Sequence, residues 1–206
     1  MITPKTLKIF CSFAKKPFEE FTRNQIKSES KEKSNNALAL AINQLKKEEI
    51  ISEKKVGKSG LLTLNLNTDL SYYYIALANY YNMNDSVKLT IKRIKDEISP
   101  ITPFYSLVIF GSYALNEQKK SSDLDIAIFI EEEVKKKQIE AAVNSVKLKS
   151  LIEIDVQVIS KAEFIEMLIN DEENLGKQIA RKHLAVHNNQ LFYGLILEGM
   201  KHGFHV

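Results

Sequence analysis

The sequence predicts an α+β protein: three helices and a β-hairpin, then linking helices, then a strand-bearing C-terminal half. Three observations predict it. Apolar residues recur at helical spacing as far as about residue 50 and then alternate across two short arms. Helical striping returns between residues 69 and 99. Beyond Pro100 and Pro103, short β-rich apolar runs carry acidic residues at every second position. The expected division is 1–68, 69–100 and 101–206.

Residues 4–14 form the first expected helix, opened by Pro4, with Leu7, Phe10, Cys11 and Ala14 on one face. Lys16 and Pro17 end it. Thr22 caps a short second helix containing Arg23, Gln25 and Ile26. Ser34 caps a third, in which Leu38, Ala41, Ile42 and Leu45 fall at i, i+3, i+4 and i+7. A hairpin follows, with arms at 51–55 and 61–66 and a connection containing Gly57 and Gly60 as turn formers. In its second arm Leu62, Leu64 and Leu66 share one face, Thr63 and Asn65 the other.

Three helices and a two-stranded wing resemble the winged helix-turn-helix family, over roughly residues 4–67. The resemblance implies a duplex-DNA partner, with Ser34, Asn35, Asn36 and Asn43 facing a major groove and Lys54, Lys55 and Lys58 near phosphates. Leu40 departs from a position that is often polar or basic, and Glu49 from one where the helix usually ends in glycine. A dimerisation or protein-docking module is the alternative, which keeps a homodimer open.

Asp69 caps the first linking helix, whose Tyr72, Tyr73, Tyr74 and Ile75 are expected to pack between domains. Val87, Ile91, Ile94 and Ile98 stripe the second. Pro100 and Pro103 end the helical region, since the residue before a proline avoids the helical basin.

The net charge of +3 is unevenly spread: +6 over residues 1–68, 0 over 69–100 and −3 over 101–206. A basic first third on an acidic remainder suggests modules with different partners. Cys11 is the single cysteine, which excludes an intrachain disulfide and suits a reducing cytoplasm. No 18-residue apolar run or signal-peptide pattern occurs, so no membrane partner is expected.

The chemistry is concentrated after Ser106. The runs 107–110 and 124–130 flank a polar loop. On the second, Asp123, Asp125, Ala127 and Phe129 share one face, and Leu124, Ile126, Ile128 and Ile130 take the other. Two carboxylates thus lie about 7 Å apart along one strand face. At a side-chain separation of roughly 5 Å their repulsion is about 3 kcal/mol at an effective dielectric near 20. A divalent cation removes that penalty, and Mg²⁺ favours one or two carboxylates together with water and phosphate oxygens. Gly111 and Ser112, directly after the first strand, let backbone and hydroxyl approach a phosphate. In a third strand Ile152, Ile154, Val156 and Val158 alternate with Glu153, Asp155 and Gln157, so Asp155 can face the same cavity.

Gly-Ser, ten residues, Asp-x-Asp and a later strand Asp resemble the polymerase-beta-type nucleotidyltransferases in their short prokaryotic form, over about residues 101–198. Gly111, Ser112, Asp123, Asp125 and Asp155 match that pattern one by one. The resemblance implies a mixed sheet with packed helices, Mg²⁺ (or Mn²⁺) at the three carboxylates, and an NTP, ATP the favoured one, on the Gly-Ser turn. Its activity would be transfer of a nucleoside monophosphate to an acceptor hydroxyl. Leu115 and Asn116 stand where relatives often have Arg-Gly; Asn can adopt the left-handed backbone, but a phosphate-binding cation is lost. Lys119 and Lys120 read as solvated loop residues. A DNA-binding transcriptional regulator that senses nucleotide, and an antitoxin that modifies a partner protein, are the alternatives.

The remainder reads as structural. Ser160 and Glu163 make a capping box for a helix after the third strand. Arg181 and His187 would suit a ribonuclease-like pair, but the nineteen residues after His187 supply no helical-bundle partner for it. His183, His202 and His205 have no metal-ligand spacing and are expected at the surface or in packing.

Overall fold

A computed structural model describes residues 2–57, 59–119 and 121–206. The chain divides into two compact units, Met1–Tyr81 and Asn82–Val206. The division falls inside the segment 69–100 that the sequence sets apart as a helical linker.

In the first unit, helix α1 (Pro4–Lys15) is capped by Thr3, whose Oγ1 accepts from Thr6 N at 3.1 Å. Its buried face runs through Leu7, Ile9, Phe10, Phe13 and Ala14. Cys11, expected on that face, is only partly buried, because Phe13 fills the position facing Phe21 at a ring distance of 5.3 Å. Helix α2 (Arg23–Glu29) begins at the Thr22–Gln25 capping box, and helix α3 (Asn35–Lys47) at Ser34, which accepts from Ala37 N at 3.2 Å. Leu38, Ala41, Ile42 and Leu45 are buried as their spacing predicts. Glu49 takes the left-handed conformation itself, with φ 58°, and Ile50 N closes the helix end on Leu45 O at 2.9 Å. A non-glycine residue there costs about 1–2 kcal/mol.

Strands β1 (Ile51–Val56) and β2 (Ser59–Leu64) form the hairpin. Of the two glycines, Gly57 alone supplies a left-handed turn, at φ 60°. Gly60 lies in the ladder opposite Lys55, so β2 starts two residues before the expected arm. A Cβ on Gly60 would meet Glu53 Oε1 at 2.4 Å, so any larger residue there would have to move the Glu53 carboxylate. Helix α4 (Asp69–Asn82) has Asp69 as its first residue rather than its cap. Its tyrosines do not act as one cluster. Tyr74 packs edge-on against Phe10 at 5.4 Å, and Tyr73 is exposed.

In the second unit, Asn84 caps helix α5 (Asp85–Ile98). Strand β3 (Tyr105–Phe110), helix α6 (Gly111–Leu115), strand β4 (Leu124–Ile130), helix α7 (Lys136–Lys147) and strand β5 (Ile154–Ser160) follow. Then come helix α8 (Lys161–Ile169), helix α9 (Leu175–Arg181), strand β6 (His183–His187) and helix α10 (Asn189–Lys201). Among the described residues the sheet has the order β5-β4-β3-β6, with β4 and β5 parallel and the other pairings antiparallel, which makes it mixed.

The period-two pattern of β4 decides which helices cover which face. Leu124, Ile126, Ile128 and Ile130 join the stripe Val87, Ile91, Ile94 and Ile98 of α5 and Ile139, Val143 and Val146 of α7 in one core cluster. On the opposite face Phe129 meets Phe164 of α8 at 4.5 Å and Phe192 of α10 at 5.1 Å. Each such buried ring or aliphatic side chain is worth about 1.5–3 kcal/mol. Helices on both faces hold the strand ends in place, and the acids of β4 and β5 sit at those ends.

Candidate functional site

Two turns build the site. Where β3 ends, the chain passes at once into the single turn of α6 instead of the expected open loop. Gly111 starts that turn with φ 65°. A Cβ there would lie 2.1 Å from Asp125 Oδ2 and 2.9 Å from its Cγ, so a side chain would force the Asp125 carboxylate to move. Asn116 ends the turn in the left-handed conformation, φ 57°, as an asparagine in a glycine position should. Ser112 lies in the first turn, half-buried, and its carbonyl accepts from Glu117 N at 2.9 Å.

The second turn leads into β4. Leu124 N donates to Glu153 O at 2.9 Å, and from there the parallel register pairs Leu124 with Ile154 and Asp125 with Asp155. Register partners on adjacent strands point to the same face of a sheet with backbones about 4.8 Å apart, so the two carboxylates are neighbours. Asp123 precedes the strand and is exposed; Asp125 and Asp155 are half-buried. Gln157 Nε2 donates to Asp155 Oδ2 at 3.3 Å. Burial, and after it the charges of Asp155 and Asp123, push the Asp125 carboxyl above the usual carboxylate range.

That electrostatic conflict is the test of whether a cation suits these donors. Burial and the charges of Asp155 and Asp123 all bear on Asp125, and hard divalent cations take carboxylate oxygens. The donor set therefore fits Mg²⁺ or Mn²⁺. Among the described residues, no group of three or more His, Cys, Asp and Glu side chains is already gathered closely enough to hold a metal.

Asp125 and Gly111 open onto a cavity of about 520 Å³ together with Phe110 and Leu115. Its other wall comes from α9 and its flanks: Glu173, Gln178, Arg181 and Lys182. Sequence reasoning missed this wall. In the sequence Arg181 suggests only a pairing with His187, and nothing local in 173–182 announces a cavity. Arg181 Nη1 donates to the Glu173 carboxylate at 2.7 and 2.9 Å, and its guanidinium carbon lies 5.9 Å from the Phe204 ring centre. Lys119 is exposed in the loop before β4, as expected, and Lys120 lies outside the described residues.

His183 and His187 are packed into the second unit, whereas His202 and His205 are exposed. His183 is buried, its ring nitrogens 3.0 Å from Ile179 O and 3.1 Å from the Tyr193 hydroxyl. Burial pulls its pKa down to about 4. The His187 ring lies 4.6 Å from that of Tyr105.

The residues proposed for DNA lie apart from this cavity in sequence and in unit. Asn36 and Asn43 are exposed on α3, and Leu40 between them is 71% exposed. Ser34 is engaged as the helix cap, and Asn35 accepts from Lys27 Nζ at 2.6 Å. Lys54 and Lys55 are exposed on β1; Lys58 lies outside the described residues. Glu53, between them and α3, pairs with Arg23 at 3.3 Å and with Lys46.

Residues 91–181 match the nucleotidyltransferase domain family. The match begins within α5 and ends at Arg181, so it contains the α6 turn, all three aspartates and α9. A solved structure described as a toxin-antitoxin with AMP-PNP is 16% identical, over 53% of this chain and 83% of its own, with a TM-score of 0.36. No curated protein matches the chain. Among the described residues no helix is long and apolar enough to cross a membrane.

Proposed function

We propose that the second unit transfers a nucleoside monophosphate from an NTP, ATP the favoured one, to an acceptor hydroxyl. The observation that carries this reading is the pairing of Asp125 with Asp155 beside a glycine whose Cβ would displace the Asp125 carboxylate. Asp123, Asp125 and Asp155 would hold Mg²⁺ or Mn²⁺, which when bound supplies charge neutralisation for the phosphates and polarises them for attack. Gly111 and Ser112 offer backbone N–H and hydroxyl groups to the triphosphate. The acceptor oxygen attacks the α-phosphorus in line, the bond to the bridging oxygen breaks, and pyrophosphate leaves. Asp155 takes the acceptor proton. Positioning and electrostatics carry such a step, and no covalent nucleophile is required.

The first unit we read as a winged helix-turn-helix that binds duplex DNA. The helix order, the +6 charge over residues 1–68 and the exposed Asn36 and Asn43 of α3 support this reading. Lys54, Lys55 and Lys58 on the hairpin would lie near phosphates, where they add salt-sensitive affinity. On this reading a protein partner that presents a side-chain hydroxyl is one candidate acceptor.

The test is incubation with each α-labelled NTP, Mg²⁺ or Mn²⁺ and cell lysate. Label should move to an acceptor with wild type and not with Asp125→Asn. Nucleotide-dependent stabilisation with no transfer to any acceptor would instead make the domain a nucleotide sensor attached to a DNA-binding regulator.

A further inference from the structure

The α6 turn presents the apolar Leu115 to the cavity, yet that cavity is not without positive charge. Arg181 and Lys182 stand on the wall opposite Gly111 and Asp125. We propose that Arg181 is the triphosphate-binding cation of this site, and that the Glu173 carboxylate occupies the phosphate position until nucleotide displaces it. This inference rests on the nucleotidyl-transfer reading for its substrate class, but its geometry is independent of the metal.

Three features support the exchange. First, Arg181 Nη1 donates to both oxygens of the Glu173 carboxylate, at 2.7 and 2.9 Å, so an anion already sits on this guanidinium inside the cavity. Second, the pair is weak. Its side chains are 39% and 54% exposed, and ion pairs at such exposure contribute little. A polyphosphate carries more charge than one carboxylate and so competes effectively for the same guanidinium. Third, Arg181 does not depend on Glu173 for its position. The guanidinium lies 5.9 Å from the ring centre of Phe204, itself buried, so it keeps a support when the carboxylate swings away. Glu173 is on the segment before α9, where a side chain can move without disturbing the sheet.

The experiment measures binding of inorganic triphosphate and of Mg-ATP to the full chain, with α-label transfer followed in parallel. Arg181→Gln should weaken triphosphate binding roughly tenfold or more, the loss of a charged hydrogen bond. Glu173→Gln should strengthen it severalfold. In the double variant the Glu173 effect should vanish, because the carboxylate then has no guanidinium to mask. Thermal melting checks that each variant folds; if Arg181→Gln does not, the Glu173→Gln gain alone decides. Affinities within twofold of wild type for both single variants would overturn the proposal. Arg181-dependent triphosphate binding without any label transfer would sustain it and sink the transferase reading. Transfer with an unchanged KM for ATP in Arg181→Gln would do the reverse, and no binding of either ligand to wild type would remove both.

Discussion

Gly111 and Asp125 are built against each other: the carboxylate of the second occupies the space that a Cβ on the first would take, and both line the same cavity. The contact joins the end of β3 to the start of β4, and it makes the glycine a requirement of the acid rather than of the turn alone. A left-handed φ of 65° adds to that requirement.

Gly111→Ala should therefore cost the second unit more than a backbone term. Left-handed alanine costs about 1–2 kcal/mol, and the carboxylate must also move. Gly57→Ala is the comparison, since Gly57 has φ 60° but nothing among the described residues within 4 Å of an added Cβ. Thermal melting of both variants should show the larger loss at Gly111, accompanied by loss of transfer. Equal losses would mean that Asp125 yields freely.

Asp125→Asn tests the electrostatic conflict through pH. The folded Asp125 has its pKa raised, so the folded state binds protons more readily than the unfolded chain. Its contribution is then favourable at low pH and is lost as pH rises from the ordinary carboxylate value through the raised one. Relative to wild type, the Asn variant should hold or gain stability above that window and show no advantage below it. Mg-NTP should raise the melting temperature of wild type and do so much less in the variant. A variant that loses stability at neutral pH would instead mark Asp125 as a hydrogen-bonded structural acid.

His183 should give the opposite slope. Its folded pKa is lowered to about 4 by burial, so the unfolded chain binds the proton first as pH falls. Stability present above about 6.5 is lost progressively down to about 4. His183→Phe should flatten that dependence in acid melts. It should also cost about 1–3 kcal/mol at neutral pH, because Ile179 O and the Tyr193 hydroxyl each lose a partner.

In the first unit, Glu53 neutralises Arg23 and Lys46. If this unit binds duplex DNA, Glu53→Gln should increase affinity and steepen the logarithmic salt dependence by up to about two units. Replacing Lys54, Lys55 and Lys58 together should flatten it, and Asn36→Ala should relax sequence preference. Fluorescence anisotropy across a salt series reads all three, and no affinity at low salt would favour a docking module.

The caps at Thr22, Ser34 and Ser160, the stripe of α3 and the two faces of β4 were legible in the sequence. Each depends on residues a few positions apart, where helical and strand periodicity leave little freedom. Asn116 belongs with them, since its left-handed backbone follows from its own chemistry. The wall at Arg181 was not legible, nor was the role of Gly60, because each answers to atoms far away in the chain. The exposed Leu40 was visible as a departure from an expected polar position, but its exposure is a property of the folded surface.

By itself the sequence determined several helix caps, the apolar faces of α3 and β4, and that Asp123, Asp125 and Asp155 fall on strand faces or ends rather than in helices. Tertiary structure alone decided that β5 runs parallel to β4 in the register that sets Asp155 beside Asp125. It also decided that Arg181 at the end of α9 and Lys182 after it line the same cavity, and that a side chain on Gly111 would displace the Asp125 carboxylate. The physical reason is the range of the forces involved. Capping and periodicity act within a turn or a pleat, whereas register and cavity walls come from burying apolar faces on both sides of one sheet, which no local stretch of chain can specify.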